Sequence, residues 1–304
     1  MGKNKKYLLL IIIIVIIVIS LSIGAFFLLK NNGNDDQNNN DNHTNQNNHI
    51  NPNNQKIHNL GTWWWDDTLN LNTYLTYAIE NKITEIYYCN WDFDEDTTNF
   101  LENCNKNNIK VYLLDGYYKW LTDENKRENL FTKLNNFLSY QNSHTINFAG
   151  VHLDIEPHQS PNFDENRQVL IYNLIELINI LDNKYTDIVF HYDLPFWLDD
   201  EITFKGITKP AYKHIIDIAD NVTIMSYRDS AEKIYSVAKD EIEYAKSINK
   251  TLNLSVETSE NEDIVTFFEE GKTILNNELN KVRELIPDNF GISIHHIKSW
   301  FALS

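Results

Sequence analysis

The sequence is poor in the residues that mark several functional classes. It has only 26 Lys and Arg against 43 Asp and Glu, a formal net charge of −17. A nucleic-acid-binding protein needs a basic face, so that class is excluded, whereas a neutral ligand is not disfavoured. The chain has nine glycines and contains no Gly-rich phosphate loop, no Gly-x-Ser-x-Gly elbow and no zinc-protease helix motif. We therefore expect no nucleic-acid partner and no cofactor.

Cysteine is also scarce, with two residues in the chain. Cys89 falls in a predicted strand and Cys104 near the end of the next predicted helix. An exported protein could join them in a disulfide. We interpret them instead as two separate thiols that pack as small hydrophobic residues. Two cysteines placed in this way do not make a metal site, and we predict none.

Charge is absent from one long apolar run near the N-terminus, residues 7–29. At about 1.5 Å per residue the run reaches ~35 Å, enough to cross a ~30 Å hydrocarbon core. Lys3, Lys5 and Lys6 precede it, which predicts a cytoplasmic N-terminus and an extracellular remainder. A cleaved signal peptide is the alternative. We interpret residues 1–30 as a cytoplasmic tip and a single-pass transmembrane signal anchor in the cell membrane.

The segment that follows, residues 31–57, lacks apolar residues almost entirely. Asn occupies 13 of the 26 positions from 31 to 56. Such a stretch cannot bury enough surface to offset the entropy lost on ordering, so it is predicted to be a disordered linker. Residues 58–304 remain, a length that suits one large domain of α/β-barrel size.

From residue 60 onward, short apolar runs alternate with amphipathic stretches such as 162–182, where apolar residues recur at helical spacing. This alternation calls for right-handed crossovers and a parallel sheet. Eight such units predict an α/β fold, a closed (β/α)8 TIM barrel with a missing or vestigial eighth helix. An open doubly wound sheet is the alternative. The eight runs are 60–66, 83–91, 109–116, 148–157, 188–197, 221–229, 251–260 and 291–300.

The predicted strands end in carboxylic acids and aromatic residues, and in a TIM barrel the chemistry gathers at those ends. A sugar ring needs flat aromatic faces for its C–H surface and acceptors for its hydroxyls. We therefore predict a carbohydrate substrate, although two or three tryptophans are expected to plug the barrel as core. The predicted substrate-binding residues are Trp63, Trp65, Trp91, Asp115, His158, Asp193, Trp197, Asp229, Glu257 and Trp300.

Two carboxylates lie two residues apart in the fourth run, FAGVHLDIEPH (148–158). In a strand, Asp154 and Glu156 would be roughly 6.6 Å apart on the same side, facing the barrel mouth with His152 below them. Two nearby carboxylates do not readily ionise together, so one is expected to keep a proton near neutral pH. A protonated carboxyl suits general acid catalysis at a leaving glycosidic oxygen.

The same run resembles the fourth-strand signature of family 18 glycoside hydrolases, the chitinase group, commonly written DGxDxDxE. Gly150, Asp154 and Glu156 match the signature. Ala149 and His152 stand where the family has its two earlier acids. The loss of an inner acid to His152 would alter the charge relay beneath Asp154.

A second likeness lies in the sixth run, where Met225 and Tyr227 match the family's M-x-Y-D and Arg228 replaces the acid. The resemblance implies that Glu156 protonates the leaving oxygen and that the substrate's N-acetyl group attacks the anomeric carbon. Asp154 would orient that group and Tyr227 would donate a hydrogen bond to it. Trp300 would lie under the sugar.

Two alternatives remain open. Glu156 followed by Pro157, with Glu257 on the seventh run, resembles the large clan of retaining glycosidases, although Ile155 replaces the usual Asn. In that case Glu156 would be the acid/base and Glu257 the nucleophile. The other alternative is a non-catalytic carbohydrate-binding barrel, because family 18 members without the full acid set include sugar binders. We predict a membrane-anchored extracellular glycoside hydrolase that cleaves a polysaccharide or glycoconjugate.

Overall fold

Every apolar run from residue 60 onward contains one strand of a closed, parallel, eight-stranded barrel in the computed structural model, which describes residues 58–66 and 68–304. The predicted (β/α)8 TIM barrel is confirmed. The predicted transmembrane anchor (7–29) and linker (31–57) lie outside the described residues. In the described part of the chain, none of the helices combines the length and apolar character needed to traverse a bilayer.

The barrel closes between its first and last strands, with Leu60 opposite Ile292. The strand order around the barrel is β1, β2, β3, β4, β5, β8, β9 and β10, and β6 pairs with β7 in a separate hairpin. The strands are β1 (Leu60–Trp64), β2 (Glu85–Tyr88), β3 (Lys110–Asp115), β4 (Gly150–Leu153), β5 (Phe190–Pro195), β6 (Glu201–Phe204), β7 (Ile207–Pro210), β8 (Asn221–Met225), β9 (Asn253–Glu257) and β10 (Gly291–His295).

Helices follow the barrel strands and cover the outside of the sheet. Side chains of Asn70, Asp94 and Asp123 cap the first three helices by accepting a backbone N–H. The predicted vestigial eighth helix is a six-residue helix. The helices described are α1 (Leu71–Glu80), α2 (Glu95–Lys106), α3 (Glu124–Ser143), α4 (Phe163–Lys184), α5 (Ala211–Ile218), α6 (Ala231–Val237), α7 (Lys239–Ser247), α8 (Gly271–Leu285) and α9 (Ile297–Ala302).

The β6–β7 hairpin was not predicted. Its two-residue turn, Lys205–Gly206, has positive φ at both positions, the geometry of a type I′ hairpin turn. Ile202 and Phe204 face inward from β6, and the Phe204 ring lies 5.7 Å from that of Tyr172 on α4. A glycine in a two-residue turn between short runs was the signal available in the sequence.

Cys89 and Cys104 do not form a disulfide with each other, as interpreted from the sequence. Cys104 is fully buried on α2, within the core between helices and sheet. Burial raises the pKa of its thiol to about 12, so it stays protonated and unreactive at neutral pH.

A buried acid on α7 gives the first testable prediction. Glu241 is 1% exposed, its Oε2 has no hydrogen-bond partner, and burial raises its pKa to about 8. Between the ordinary value near 4.5 and about 8, the folded state holds the proton and the unfolded state does not. The free energy of unfolding must therefore fall as pH rises through this window.

Replacing Glu241 with Gln should raise the free energy of unfolding by roughly 1–3 kcal/mol at pH 8 and change it little at pH 4. Urea denaturation at the two pH values measures this difference. The control is Glu243→Gln on the same helix, because the Glu243 side chain is 58% exposed. An equal gain at both pH values would contradict an effect of the buried charge.

Candidate active site

A cavity of about 500 Å³ opens at the C-terminal ends of the barrel strands. This volume is ordinary for a small-ligand site. Its walls come from the ends of β1, β3, β4, β8, β9 and β10. The lining residues are Trp65, Gly116, Asp154, Glu156, Gln159, Met225, Tyr227, Glu257, His295 and His296. The structure thus brings together Asp154, Glu156, Tyr227, Trp65 and Glu257 from the predicted site.

The two acids of the fourth strand lie just beyond its end. Asp154 directly follows β4, and Glu156 precedes a 3₁₀ turn, Pro157–Gln159. Gly116, the residue after β3, packs directly against Asp154. A Cβ there would collide with the carbonyl oxygen of Asp154, so glycine is required for the close approach of the two loops.

Asp154 has a buried carboxyl group that keeps its proton. Its Oδ1 is buried and has no hydrogen-bond partner. Burial, followed by the nearby charges of Asp193 and Glu156, raises the pKa of Asp154 well above its usual range. The Asp154 carboxyl is therefore neutral near pH 7.

Glu156 also reaches the cavity, with a side chain that is 15% exposed. The Gln159 side-chain amide donates a hydrogen bond to its Oε2. The Nε2 of His158 lies 3.8 Å from the same oxygen. Glu156 is thus oriented by the turn that follows it while its carboxyl stays accessible to a ligand.

Glu257, the last residue of β9, has a different environment. Its Oε1 accepts the backbone N–H groups of Thr258 and Ser259, each at 2.7 Å. Its Oε2 lies 2.7 Å from the Nδ1 of His295. Burial of the carboxyl opposes ionisation, but the bonds from His295 and Ser259 outweigh it and lower the pKa of Glu257. The cavity therefore holds one carboxyl that is neutral and another that is ionised.

Tyr227 completes this wall of the cavity, two residues beyond β8. Its ring centroid lies 6.0 Å from that of His295. Burial, followed by the charge of Glu257, raises the pKa of Tyr227 well above its usual value. The phenol therefore keeps its proton and can donate a hydrogen bond to a ligand.

A layer of polar and aromatic side chains lies beneath the cavity. Trp63 donates its indole N–H to Asp193 Oδ2 at 2.9 Å, and the two residues are 1% and 2% exposed. His152 Nε2 lies 2.8 Å from the same oxygen, and its ring stacks on Tyr87 at 3.8 Å. Burial lowers the pKa of His152 to about 3, so this ring is neutral.

Two predicted substrate contacts need correction on this basis. Trp63 and Asp193 do not line the cavity, because they lie one layer deeper in the barrel interior. Burial raises the pKa of Asp193 well above its usual range. These residues support the floor of the site instead of touching a ligand.

Trp300 is a further correction, because it is not a surface for a sugar. The eighth strand ends at His295, and Trp300 lies in α9 with 2% of its surface exposed. It packs edge-on against Tyr77 at 5.3 Å, and the Tyr77 hydroxyl donates to its carbonyl oxygen at 3.0 Å. The helix turns the indole towards α1, and Trp65 is the tryptophan that reaches the cavity.

Trp91 and Asp115 also lie outside the cavity lining. The Trp91 indole donates to the carbonyl of Leu114 at 2.9 Å, and the Lys133 ammonium lies 5.2 Å above its ring. The same ammonium pairs with Asp115. Trp91 and Asp115, which were predicted to contact substrate, thus both interact with Lys133 on α3.

Three more predicted contacts lie outside the lining. Asp229 pairs with Lys233 at 3.0 Å, one helical turn away. The rings of His158 and Trp197 meet edge-on at 5.4 Å, and Arg167 lies 4.8 Å over the Trp197 ring. His158 borders the cavity through its approach to Glu156, so this aromatic cluster forms part of the rim.

Several lining residues were absent from the predicted site. His295 and His296 stood at the end of the eighth predicted strand, so their position was visible but their role was not. Gln159 carried no signal in the sequence, and Met225 was noted only as a match to the family's M-x-Y-D run. Within the described ranges, no three His, Cys, Asp or Glu side chains cluster in a way that could hold a metal ion.

Neither a family profile nor a curated protein matches the chain. Solved structures do match. A Rhizomucor miehei β-1,3-glucanosyltransferase, an active-site mutant bound to laminaritriose, is 12% identical, with 78% of this chain and 86% of that chain covered and a TM-score of 0.51.

Two further solved structures match with lower TM-scores. A GH18 chitinase from Cycas revoluta in complex with (GlcNAc)3 is 12% identical, covering 79% of this chain and 95% of that chain at a TM-score of 0.41. The Bacillus cereus spore cortex-lytic enzyme SleL is 14% identical at a TM-score of 0.43, and the match covers 66% of this chain and 51% of that chain. The chain shares the (β/α)8 barrel fold with the glucanosyltransferase, and the solved structures that it is similar to include a family 18 chitinase.

Proposed function

We propose that the protein is a glycoside hydrolase that cleaves a polysaccharide or glycoconjugate, with Glu156 as the general acid. One observation carries the proposal. Glu156, Asp154 and Glu257 share a single cavity at the C-terminal ends of the strands, where TIM barrels place their chemistry. Glycoside hydrolysis uses a pair of carboxyl groups around the scissile bond, one of which protonates the leaving oxygen.

The environment of Glu156 supports its role as the acid. Its carboxyl is accessible and held by Gln159, so it can meet the oxygen of a bound glycosidic bond. Asp154 lies two residues earlier with a neutral carboxyl, so no second carboxylate there opposes the charge that Glu156 acquires when it gives up its own proton. Tyr227 offers a hydrogen-bond donor in the same lining.

The anomeric carbon then needs a nucleophile. With an N-acetylated sugar, the substrate's own acetamide oxygen can attack, oriented by Asp154 and Tyr227. A specific observation favours a second candidate, in which Glu257 attacks. Glu257 is ionised inside the cavity and comes from the seventh barrel strand, across from Glu156 on the fourth. A substrate that lacks the acetamide distinguishes the two, because only the second mechanism can hydrolyse it.

The test is a hydrolysis screen of the full chain against N-acetylglucosamine oligosaccharides, β-1,3- and β-1,4-glucan oligosaccharides and peptidoglycan. Release of new reducing ends from at least one of these is expected. Binding of a glycan without turnover would favour the alternative of a carbohydrate-binding barrel. If the chain neither binds nor cleaves any of them, that result would count against a carbohydrate ligand.

The apolar run at 7–29 supports a second part of the proposal, that the barrel is held on the outer face of the cell membrane. Removal of residues 1–30 should then shift the protein from the membrane fraction to the soluble fraction. Protease added to intact cells should degrade the barrel of the full chain. A barrel that is protected until the cells are opened would contradict the outward orientation.

A further inference from the structure

We infer that Trp65 and His295 act as positioning residues for Glu257. Trp65 fixes His295 in a single neutral tautomer, and His295 in that form holds Glu257 in its charged form. The catalytic consequence of this array rests on the proposed function. The array itself does not, because it follows from hydrogen-bond chemistry among three side chains. It consists of Trp65 on the end of β1, Glu257 on β9 and His295 on β10.

The indole N–H of Trp65 determines which nitrogen of His295 carries the proton. It lies 3.3 Å from His295 Nε2, in hydrogen-bond geometry. An indole nitrogen can donate but cannot accept, so Nε2 must be the acceptor and carries no hydrogen. The proton of the neutral ring is therefore on Nδ1, 2.7 Å from Glu257 Oε2. Nδ1 donates to the carboxylate.

Glu257 is thereby surrounded by donors. Two backbone N–H groups, of Thr258 and Ser259, point at Oε1, and His295 Nδ1–H points at Oε2. All three contacts favour the charged carboxylate over the protonated acid. Oε2 keeps one further lone pair, which is available for a substrate atom.

The strand register explains why these residues meet. His295 and Glu257 are direct partners in the β9–β10 pairing, so their side chains leave neighbouring strands at one level. Trp65 follows β1, the strand on the other side of β10. The array therefore spans three consecutive strands of the barrel and is held at each end by the sheet.

Other titratable groups around His295 do not supply a competing charge. Tyr227 from β8 keeps its proton, and burial lowers the pKa of His296, the next residue, to about 4. Asp193 from β5 and Asp154 from β4 both have pKa values well above the usual range. Glu156 also lines the cavity, as the third carboxyl there besides Asp154 and Glu257.

Without the indole donor, His295 should no longer be restricted to one tautomer. In Trp65→Phe, Nε2 of His295 is free to take a proton, and the ring becomes a cation paired with Glu257. The paired carboxylate is then less available to a developing positive charge on the sugar. We expect kcat/KM to fall roughly 3- to 10-fold, the value of one hydrogen bond. The acidic limb of the pH–rate profile should move to higher pH.

The direct test is ¹⁵N NMR of the full chain labelled at histidine nitrogens, with the His295 signals assigned through His295→Gln. The wild-type spectrum should show a hydrogen on Nδ1 and none on Nε2 from pH 6 to pH 8. In Trp65→Phe, a hydrogen should appear on Nε2. Trp120→Phe is the control, because Trp120 lies in the core outside the cavity.

A wild-type His295 with its hydrogen on Nε2, or doubly protonated at pH 7, would overturn the inference even if Trp65→Phe does not fold. No substrate is needed, so the outcome is separate from that of the hydrolysis screen. If the tautomer is as expected and no glycan is cleaved, the array stands and the proposed function falls.

Discussion

Glu156→Gln should lower kcat roughly 10²- to 10⁴-fold, the usual contribution of a general acid. Gln keeps the size of the side chain but has no proton to transfer to the leaving oxygen. KM should change little, since Gln can still hydrogen-bond a sugar. Stability should be preserved because the Glu156 side chain is partly exposed and is not part of the buried core. Initial rates on the best substrate from the screen measure the effect.

Glu165→Gln is the matched control for this substitution. Glu165 is exposed in the first turn of α4, nine residues along the chain, and does not line the cavity. It should retain wild-type kcat. Equal activity of wild type and Glu156→Gln would remove the catalytic assignment of Glu156. A substrate with a good leaving group should partly restore the variant, because such a group departs without protonation.

Glu257→Gln should lower kcat/KM roughly 10²- to 10³-fold, on N-acetylated and non-acetylated substrates alike. Both mechanisms develop positive charge at the anomeric carbon, and Glu257 is the ionised carboxylate in the lining. The Gln carbonyl oxygen would accept from the backbone N–H groups of Thr258 and Ser259, so its NH2 group would face the Nδ1–H of His295. Two donors would then oppose each other, unless His295 changes tautomer and gives up the bond from Trp65.

The two opposed donors should also lower the stability of the variant. The free energy of unfolding of Glu257→Gln should fall by roughly 1–3 kcal/mol, the cost of a buried group without its partner. Urea denaturation measures it, and Glu269→Gln, on an exposed segment outside the cavity, should show neither change. Retention of full activity by Glu257→Gln would exclude Glu257 from the chemistry.

A variant with a smaller side chain at position 257 distinguishes attack by Glu257 from attack by the substrate's acetamide. In Glu257→Ala, added azide can occupy the space left by the carboxylate. Formation of a glycosyl azide with inverted anomeric configuration would establish Glu257 as the nucleophile. Activity on N-acetylated substrates alone, with no azide product, would favour attack by the acetamide.

The barrel could be predicted because its signal is repeated. Each of the eight apolar runs is short, is followed by a helical pattern, and supplies one strand, so an error in one unit would not have changed the fold. The hairpin formed by β6 and β7 was missed because it occurs once and interrupts the alternation. The segment at 7–29 remains a prediction, since it lies outside the described residues.

The depth of each strand-end residue could not be predicted. Trp63 and Trp65 are two residues apart and point to the same side of β1, yet Trp63 is buried in the barrel and Trp65 lines the cavity. Trp64 points the other way, into the core beneath the helices. Alternation along a strand indicates the side on which a residue lies, but it does not indicate the level at which the barrel opens.

By itself, the sequence determined the order of the eight strands, the closed barrel and the position of Asp154 and Glu156 at the end of the fourth strand. These follow from local periodicity, which the chain carries in consecutive residues. The tertiary structure alone decided that His295 meets both Glu257 and Trp65, and that Trp300 turns away into the core. Those contacts depend on the register between strands and on where a helix begins, and both are set when distant segments pack together.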